Sequence, residues 1–278
     1  MNTNFWNGCQ SIIGATVVST AVGMFSIMPV SAQVTPIDVD LELFLLVDVS
    51  GSVDASEFDL QRTGYVNAFN NSSVVNALTS GPFGRAAVTF AYWSGSLQQQ
   101  QISGGINGWF LIDDDTSSSN FATAIDSFTR PFNGLTAIGS AIDFAVPLFG
   151  TETGGPENGF TSTRQVIDIS GDGTSNSGIS VTTARDNALA AGVDTINGLA
   201  IGNLTLLNYF ENSVIGGTNS FAVQANDFDS FAQAIEDKII KEAGGGQPVP
   251  EPSTGLVTLL GLAVFGATSK FKIQGSVK

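Results

Sequence analysis

The chain has 278 residues, and with 42 % of them hydrophobic it can bury a core of ordinary domain size. Its 25 acidic residues against 10 basic ones give a net charge of −15, so the clustered Lys and Arg that phosphate backbones require are missing and nucleic acid is excluded as a partner. Histidine is absent and Cys9 is the single cysteine, which excludes imidazole acid–base chemistry, zinc sites of the His type, an internal disulfide framework and a cysteine nucleophile in the body of the chain.

Residues 11–30, SIIGATVVSTAVGMFSIMPV, are uncharged and mostly small or apolar, and VSAQ follows with Val30 and Ala32 in the small-residue cleavage pattern. The expectation is a secretory signal peptide over 1–32, although the leading MNTNFWNGCQ carries no Lys or Arg. Without this segment and the last 28 residues, residues 33–250 hold 24 acidic and 7 basic residues, a net charge of −17.

LELFLLV (41–47) is a continuous apolar run of the kind found in strands buried on both faces, as in parallel sheets. ASEFDLQRTGYVNAFN follows with Phe58, Tyr65 and Phe69 near a helical period. RAAVTFAYW (85–93) reads as a strand, SLQQQQI as a short edge strand and GWFLID (108–113) as a further short strand or a loop. DDDTSSS reads as a loop, then NFATAIDSFTR and TAIGSAIDFAVPLF as helices separated by the breaker PFNG. RQVIDIS (164–170) is a strand, TTARDNALAAG a helix closed by Gly192, DTINGLAI a strand and TLLNYFENSVI a helix. SFAVQA makes a last strand before the helix DFDSFAQAIEDKIIKE. Strands alternating with helices imply an α/β fold with a doubly wound, mostly parallel sheet flanked by helices, whose ligands sit outside the carboxyl ends of the strands near the point where strand order reverses.

DVSGSVD (48–54) stands at such an end. Asp54 and Glu57 fit a helix capping box, and Gly51-Ser52 fits a strand-to-helix turn. Neither accounts for Asp48, Ser50 and Ser52, whose alternate spacing lets three oxygens converge on a hard divalent cation such as Mg²⁺. One loop cannot fill the shell of such an ion, so other loops on the same edge must contribute. Asp172 in GDGTSN follows the strand RQVIDIS, and Thr136 in GLTAIGSAI stands where a helix is expected to begin, the ordinary place for a capping hydroxyl.

Together, the D-x-S-x-S loop, the later threonine and the aspartate-glycine resemble the metal-ion-dependent adhesion site, or MIDAS, of von Willebrand factor A (vWA) domains. LVDVSGSVD, LQRTGY and VIDISGDG are also similar to a group of bacterial A-domain proteins of unassigned function. The resemblance implies a Rossmann-like vWA domain over 33–243, with Asp48, Ser50, Ser52, Thr136 and Asp172 holding Mg²⁺, or Mn²⁺ or Ca²⁺, in a shell that takes an acidic group from a protein or polysaccharide. In that family the hydroxyls bind the metal directly, and one or both aspartates act mainly through water.

At the other end, a Gly/Pro linker (244–249) leads to Pro250-Glu251-Pro252, an apolar stretch Leu256–Ala267 and a basic cluster with Lys270 and Lys272. This arrangement over 250–278 resembles the PEP-CTERM sorting signal of exported bacterial proteins. It implies a short transmembrane helix held transiently in the inner membrane, cleavage by an exosortase-type enzyme and release to the envelope, cell surface or extracellular matrix.

Other clusters lead elsewhere. Asp113, Asp114 and Asp115 lack the glycine turn and distal glutamate of an EF-hand and read as a solvated loop. Asp126, Asp143 and Asp186 fall in helical patterns and are expected at the surface. Tyr92, Trp93 and Trp109 either form a sugar-stacking surface or, as strand aromatics usually do, belong to the core. An aspartate after the first strand is also where phosphohydrolases of the haloacid-dehalogenase type keep a nucleophile, but Ser50 occupies the place of their second acid. No Walker loop, G-x-S-x-G elbow or histidine base is present, so the expected protein is not an enzyme. A metal-free structural matrix protein is the third alternative.

Overall fold

The structure, a computed structural model, describes residues 35–244. The expected signal peptide and sorting signal, and all but the first residue of the linker, lie outside the described residues. Among the described residues no helix is long and apolar enough to cross a membrane.

In chain order the elements are β1 (Ile37–Asp38), β2 (Glu42–Asp48), α1 (Ala55–Phe69), α2 (Ser72–Leu78), β3 (Ala86–Trp93), β4 (Gln99–Gln101), β5 (Phe110–Ile112), α3 (Asp115–Ser127) and α4 (Ile138–Ala145). A 3₁₀ segment (Val146–Thr153) continues α4, then β6 (Phe160–Thr161), β7 (Gln165–Gly171), α5 (Val181–Ala191), β8 (Thr195–Ile201) and α6 (Leu204–Tyr209) follow. A π-helical turn (Phe210–Val214) extends α6 before β9 (Gly216–Gly217), β10 (Ala222–Ala225) and α7 (Phe231–Ala243).

The main sheet runs β10-β8-β7-β2-β3-β4, with β5 on the far part of β3 and β9 on β8; β1 and β6 form a separate parallel pair. The four long strands β8, β7, β2 and β3 and the short edge strand β10 are parallel, whereas β4 and β5 pair antiparallel with β3 at the other edge. This is the doubly wound, mostly parallel α/β sheet expected from the alternation of elements. Strand β2 is buried along its whole length because both faces are covered. Leu43, Leu45 and Val47 pack with residues of α1, α2, α3 and α7, while Phe44 and Leu46 pack with residues of α4, α5 and α6. The chain moves from β2 to β3 on one side and later to β7 on the other, so strand order reverses between β2 and β7. The loops leaving those two strands therefore diverge, and a crevice opens at their carboxyl ends.

The capping box expected at α1 is present: Asp54 accepts from the N–H groups of Ser56 and Glu57, and the Glu57 carboxylate accepts from the Asp54 N–H. Gly192 closes α5 in the left-handed conformation, at φ +117°. Tyr92, Trp93 and Trp109 are fully buried, so they belong to the core and form no sugar-stacking surface. Asp126, Asp143 and Asp186 are exposed on their helices as expected.

Three expectations are corrected. DDDTSSS is not a loop: Asp114 caps α3 by accepting from Ser117 N–H, and Asp115 through Ser119 form its first turns, because short oxygen-bearing side chains suit a helix start. The last helix begins at Phe231, since Asp227 and Ser230 are tied into a preceding turn by the Ser230 N–H bond to Asp227. Helix α2, capped by Asn71, was not expected at all; Val74 and Leu78 anchor it on the core.

Candidate metal centre

Three loops meet in the crevice. The first follows β2, the second leads into α4 and the third follows β7. Gly51 N–H donates to the Gly134 carbonyl at 2.8 Å, joining first to second. Thr136 N–H donates to Asn176 Oδ1 at 2.9 Å and Asn176 N–H returns a bond to the Thr136 carbonyl, joining second to third. A Cβ at Gly134 would fall 2.0 Å from Gln98 Oε1 and 3.1 Å from Ser94 Oγ, so a larger residue there would have to displace the Gln98 side chain in the turn after β3.

The five residues singled out from sequence are brought together. Ser50 N–H donates to Asp48 Oδ1 at 2.7 Å, the hydroxyls of Ser50 and Ser52 are 3.2 Å apart, and Thr136 Oγ1 donates to Ser50 Oγ at 3.3 Å. Ser52 Oγ donates to Asp172 Oδ1 at 2.7 Å. Asp48, Ser50 and Thr136 are buried, Asp172 is half-buried and Ser52 is exposed, so the cluster runs from the sheet to the surface. Thr136 differs from expectation in one respect: α4 starts two residues later, and no side chain caps it. Its hydroxyl is therefore not used as a cap and points at Ser50.

Asp48 is the group that mutual hydrogen bonding fails to satisfy. Its Oδ2 is fully buried and has no hydrogen-bond partner among the described residues. A Cβ at Gly171 would come within 3.1 Å of that oxygen, so glycine at this position keeps the space beside it clear. Burial pushes the Asp48 carboxyl up to about 7; the Ser50 N–H bond pulls it down, the Asp172 carboxylate pushes it further up and Arg130 pulls it back. A buried, unpartnered carboxylate oxygen costs free energy that a hard cation relieves. The donor set is all oxygen, two carboxylates and three hydroxyls, which suits Mg²⁺, Mn²⁺ or Ca²⁺. Among the described residues no group of three or more His, Cys, Asp or Glu side chains could hold a metal, so this mixed set is distinct from a carboxylate cage.

Sequence reasoning missed the residues that brace the loops. Arg130 donates through Nη2 to the carbonyls of Val49 at 3.0 Å and Ser50 at 2.9 Å, and its guanidinium lies over the Phe58 ring. Ser94 Oγ accepts from Gly134 N–H, and buried Gln61 donates to the Asp48 carbonyl. An arginine directly before a proline, in a body with few cations, was the one available signal.

The fold is similar to that of a solved von Willebrand factor A domain. The chain is similar to proximal thread matrix protein 1 of the mussel byssus, at 16 % identity and TM-score 0.52 over 75 % of this chain and 49 % of that one. It is also similar to a von Willebrand factor type A protein from Catenulispora acidiphila, at 16 % identity and TM-score 0.51 over 74 % and 43 %. A further structure of the mussel protein, described as having a zinc-occupied MIDAS motif, matches at 14 % identity and TM-score 0.50 over 75 % and 49 %. The chain thus spans about half or less of the length of these solved structures. No curated protein matches it. The chain belongs to the family described as "Protein of unknown function (DUF1194)", whose model matches residues 38–247.

Proposed function

We propose that the protein is an exported, non-enzymatic binding module that holds a divalent cation, Mg²⁺ in the first instance, at Asp48, Ser50, Ser52, Thr136 and Asp172. When bound, the cation supplies a Lewis-acidic position for an acidic group on a protein or polysaccharide. The observation that carries the reading is the buried, unpartnered Asp48 Oδ2 beside three hydroxyls drawn from loops far apart in sequence. Of the two carboxylates only Asp48 lies deep in the fold. A cation held there keeps much of its charge and attracts an anion that a domain of this acidity would otherwise repel. The all-oxygen set favours hard cations over zinc, whatever occupies the mussel protein.

Export rests on the apolar segment 11–30 with its cleavage pattern, and on the Pro250-Glu251-Pro252 tail with its basic end. An exosortase-type enzyme is the processing partner under this reading, and the mature protein ends near residue 250. Mass spectrometry of the mature protein tests it: retention of residues 253–278 overturns the sorting claim.

The metal claim is tested by melting the chelated protein across a Mg²⁺ titration. Binding to the native state raises the melting temperature, by about 2.7 kcal/mol of stability at a hundredfold excess over Kd. Ser50→Ala and Thr136→Ala should each abolish most of that rise. Absence of a rise in the unsubstituted protein, with Mg²⁺, Mn²⁺ and Ca²⁺ alike, defeats the claim.

A further inference from the structure

The buried charges between β7 and α7 take no part in the metal centre. Asp168 of β7 and Lys238 and Glu242 of α7 are each no more than 1 % exposed, and they set one cation against two anions in a dry part of the fold. Charged side chains almost never lie so deep unless they are paired. Here the pairing is incomplete: neither oxygen of Asp168, nor Oε2 of Glu242, has a hydrogen-bond partner among the described residues. Lys238 Nζ nevertheless lies 2.5 Å from Asp168 Oδ1. The amine therefore touches the carboxyl group without the alignment of an N–H···O bond.

The surroundings hold the two groups in that contact. Glu242 Oε1 accepts from Lys238 Nζ and, at 3.1 Å, from Asn197 Nδ2. Arg164 donates to the carbonyls of Glu242 and Ala243, which fixes the last turn of α7 against the start of β7. Burial raises both carboxyls, Glu242 to about 7, so a neutral carboxyl is within reach at ordinary pH and Glu242 can both take and release a proton there.

We propose that Lys238 and Asp168 condense into an isopeptide bond, a covalent amide that ties α7 to the main sheet. A proton first passes from the ammonium to Asp168, which replaces two buried charges by a neutral amine and a neutral carboxyl. The Nζ lone pair then attacks Asp168 Cγ and forms the C–N bond, while the π pair of the carbonyl moves onto its oxygen. Glu242 takes a proton from Nζ through Oε1 and delivers it to the Asp168 hydroxyl; the oxygen pair returns to Cγ, the C–O bond breaks and water leaves. One carboxylate and one ammonium give one amide and one water, with no change of oxidation state and no co-reactant. A cleft of about 310 Å³, with Glu242 and Asn197 in its lining, receives the water. Fixed contact between the reacting groups supplies what the same condensation lacks in free solution. Asn197 is the less suitable acceptor, because its amide is engaged at both ends, by Phe221 N–H and by Glu242.

The single cysteine, Cys9, leaves the chain without an internal disulfide, and the amide is a staple of another chemistry. A pull on the chain beyond α7 is then borne by β7, which is paired on both sides. Protein in which the bond has not formed keeps the ion-paired triad.

Denaturing mass spectrometry of the full chain, purified folded and held at neutral pH beforehand, tests this. The unsubstituted protein should be lighter by one water than its observed termini require, and fragmentation of its peptic peptides should place the bond between Asp168 and Lys238. Lys238→Met should show the full mass, and Glu242→Gln should acquire the bond about a hundredfold more slowly. The full mass in folded unsubstituted protein, a bond placed on Glu242, loss of ammonia with a bond to Asn197, or an unchanged rate in Glu242→Gln overturns the inference. Should Lys238→Met fail to fold, the fragment assignment in the unsubstituted protein decides alone.

Discussion

Replacing Asp48 by Asn should move two quantities in opposite directions, and the sizes follow from its burial. The folded carboxyl titrates at about 7 against an ordinary 3.8, chiefly because burial disfavours the charged form. Between those values the native chain binds more protons at this site than the unfolded chain does, so the stability contributed by Asp48 falls as pH rises through that window and stays lost above it. At about 1.4 kcal/mol per unit, the cost is about 2 kcal/mol at pH 5 and about 4 kcal/mol at pH 8, as upper values before relaxation. Asparagine keeps an acceptor for Ser50 N–H and never ionises, so the chelated variant should be the more stable protein at pH 8, with a lead that shrinks at pH 5. At about 2–4 °C per kcal/mol for a fold of this size, the pH 8 difference is up to about 8–16 °C by scanning fluorimetry. In Mg²⁺ the order should reverse or close, since the unsubstituted protein gains from binding and the variant does not. A chelated Asp48→Asn protein that melts below the unsubstituted one at pH 8, or a difference that ignores pH, refutes the reasoning.

Three further substitutions probe the supports. Lys238 is buried between Asp168, at 2.5 Å, and Glu242, so Lys238→Met leaves two buried carboxylates without their cation and should cost about 3–5 kcal/mol in urea unfolding at pH 8. Burial already raises both carboxyls, Glu242 to about 7, so part of that loss should return at pH 5 as they protonate; a pH-independent loss would contradict it. Arg130→Met removes the bonds to the carbonyls of Val49, Ser50 and Asp54 in the first loop and should raise the calorimetric Kd for Mg²⁺ about tenfold while preserving the circular dichroism of the fold; unchanged affinity would show that the loop holds its place without them. In Gly139→Ala the new methyl would sit 2.4 Å from the Ile179 carbonyl, which is backbone and cannot turn aside, so α4 and the third loop must part at about 1–3 kcal/mol, detectable as a lower denaturation midpoint.

The central strands were legible because burial on both faces leaves an unbroken apolar run, and the first loop was legible because its three oxygens lie within five residues. What could not be read was long-range. Arg130 reaches carbonyls 80 and 81 residues away, and Asn176 meets Thr136 across 40, with no local pattern to announce either. DDDTSSS was misread because its composition suits loops and helix starts alike; the Asp114–Ser117 spacing, a capping relation, was the finer signal.

Strand β7 held a signal that was present and unused. In VIDIS the residues alternate between faces: Ile167 and Ile169 pack with α4 and α5, while Val166 faces the other layer with Asp168 and Ser170. An aspartate in the middle of a fully buried strand requires a partner, and α7 supplies it with Lys238, which also pairs with Glu242 four residues on. Ser170 likewise lies 3.4 Å from the Tyr65 hydroxyl of α1. The sheet face toward α1 and α7 is therefore fastened in part by polar contacts of fixed geometry. Polar pairing fixes the register of α1 and α7 more narrowly than apolar packing does, because one turn of slippage strands a buried charge. Since α1 carries Gln61 to the Asp48 carbonyl and begins at the end of the first loop, that register also sets where Ser50 and Ser52 stand.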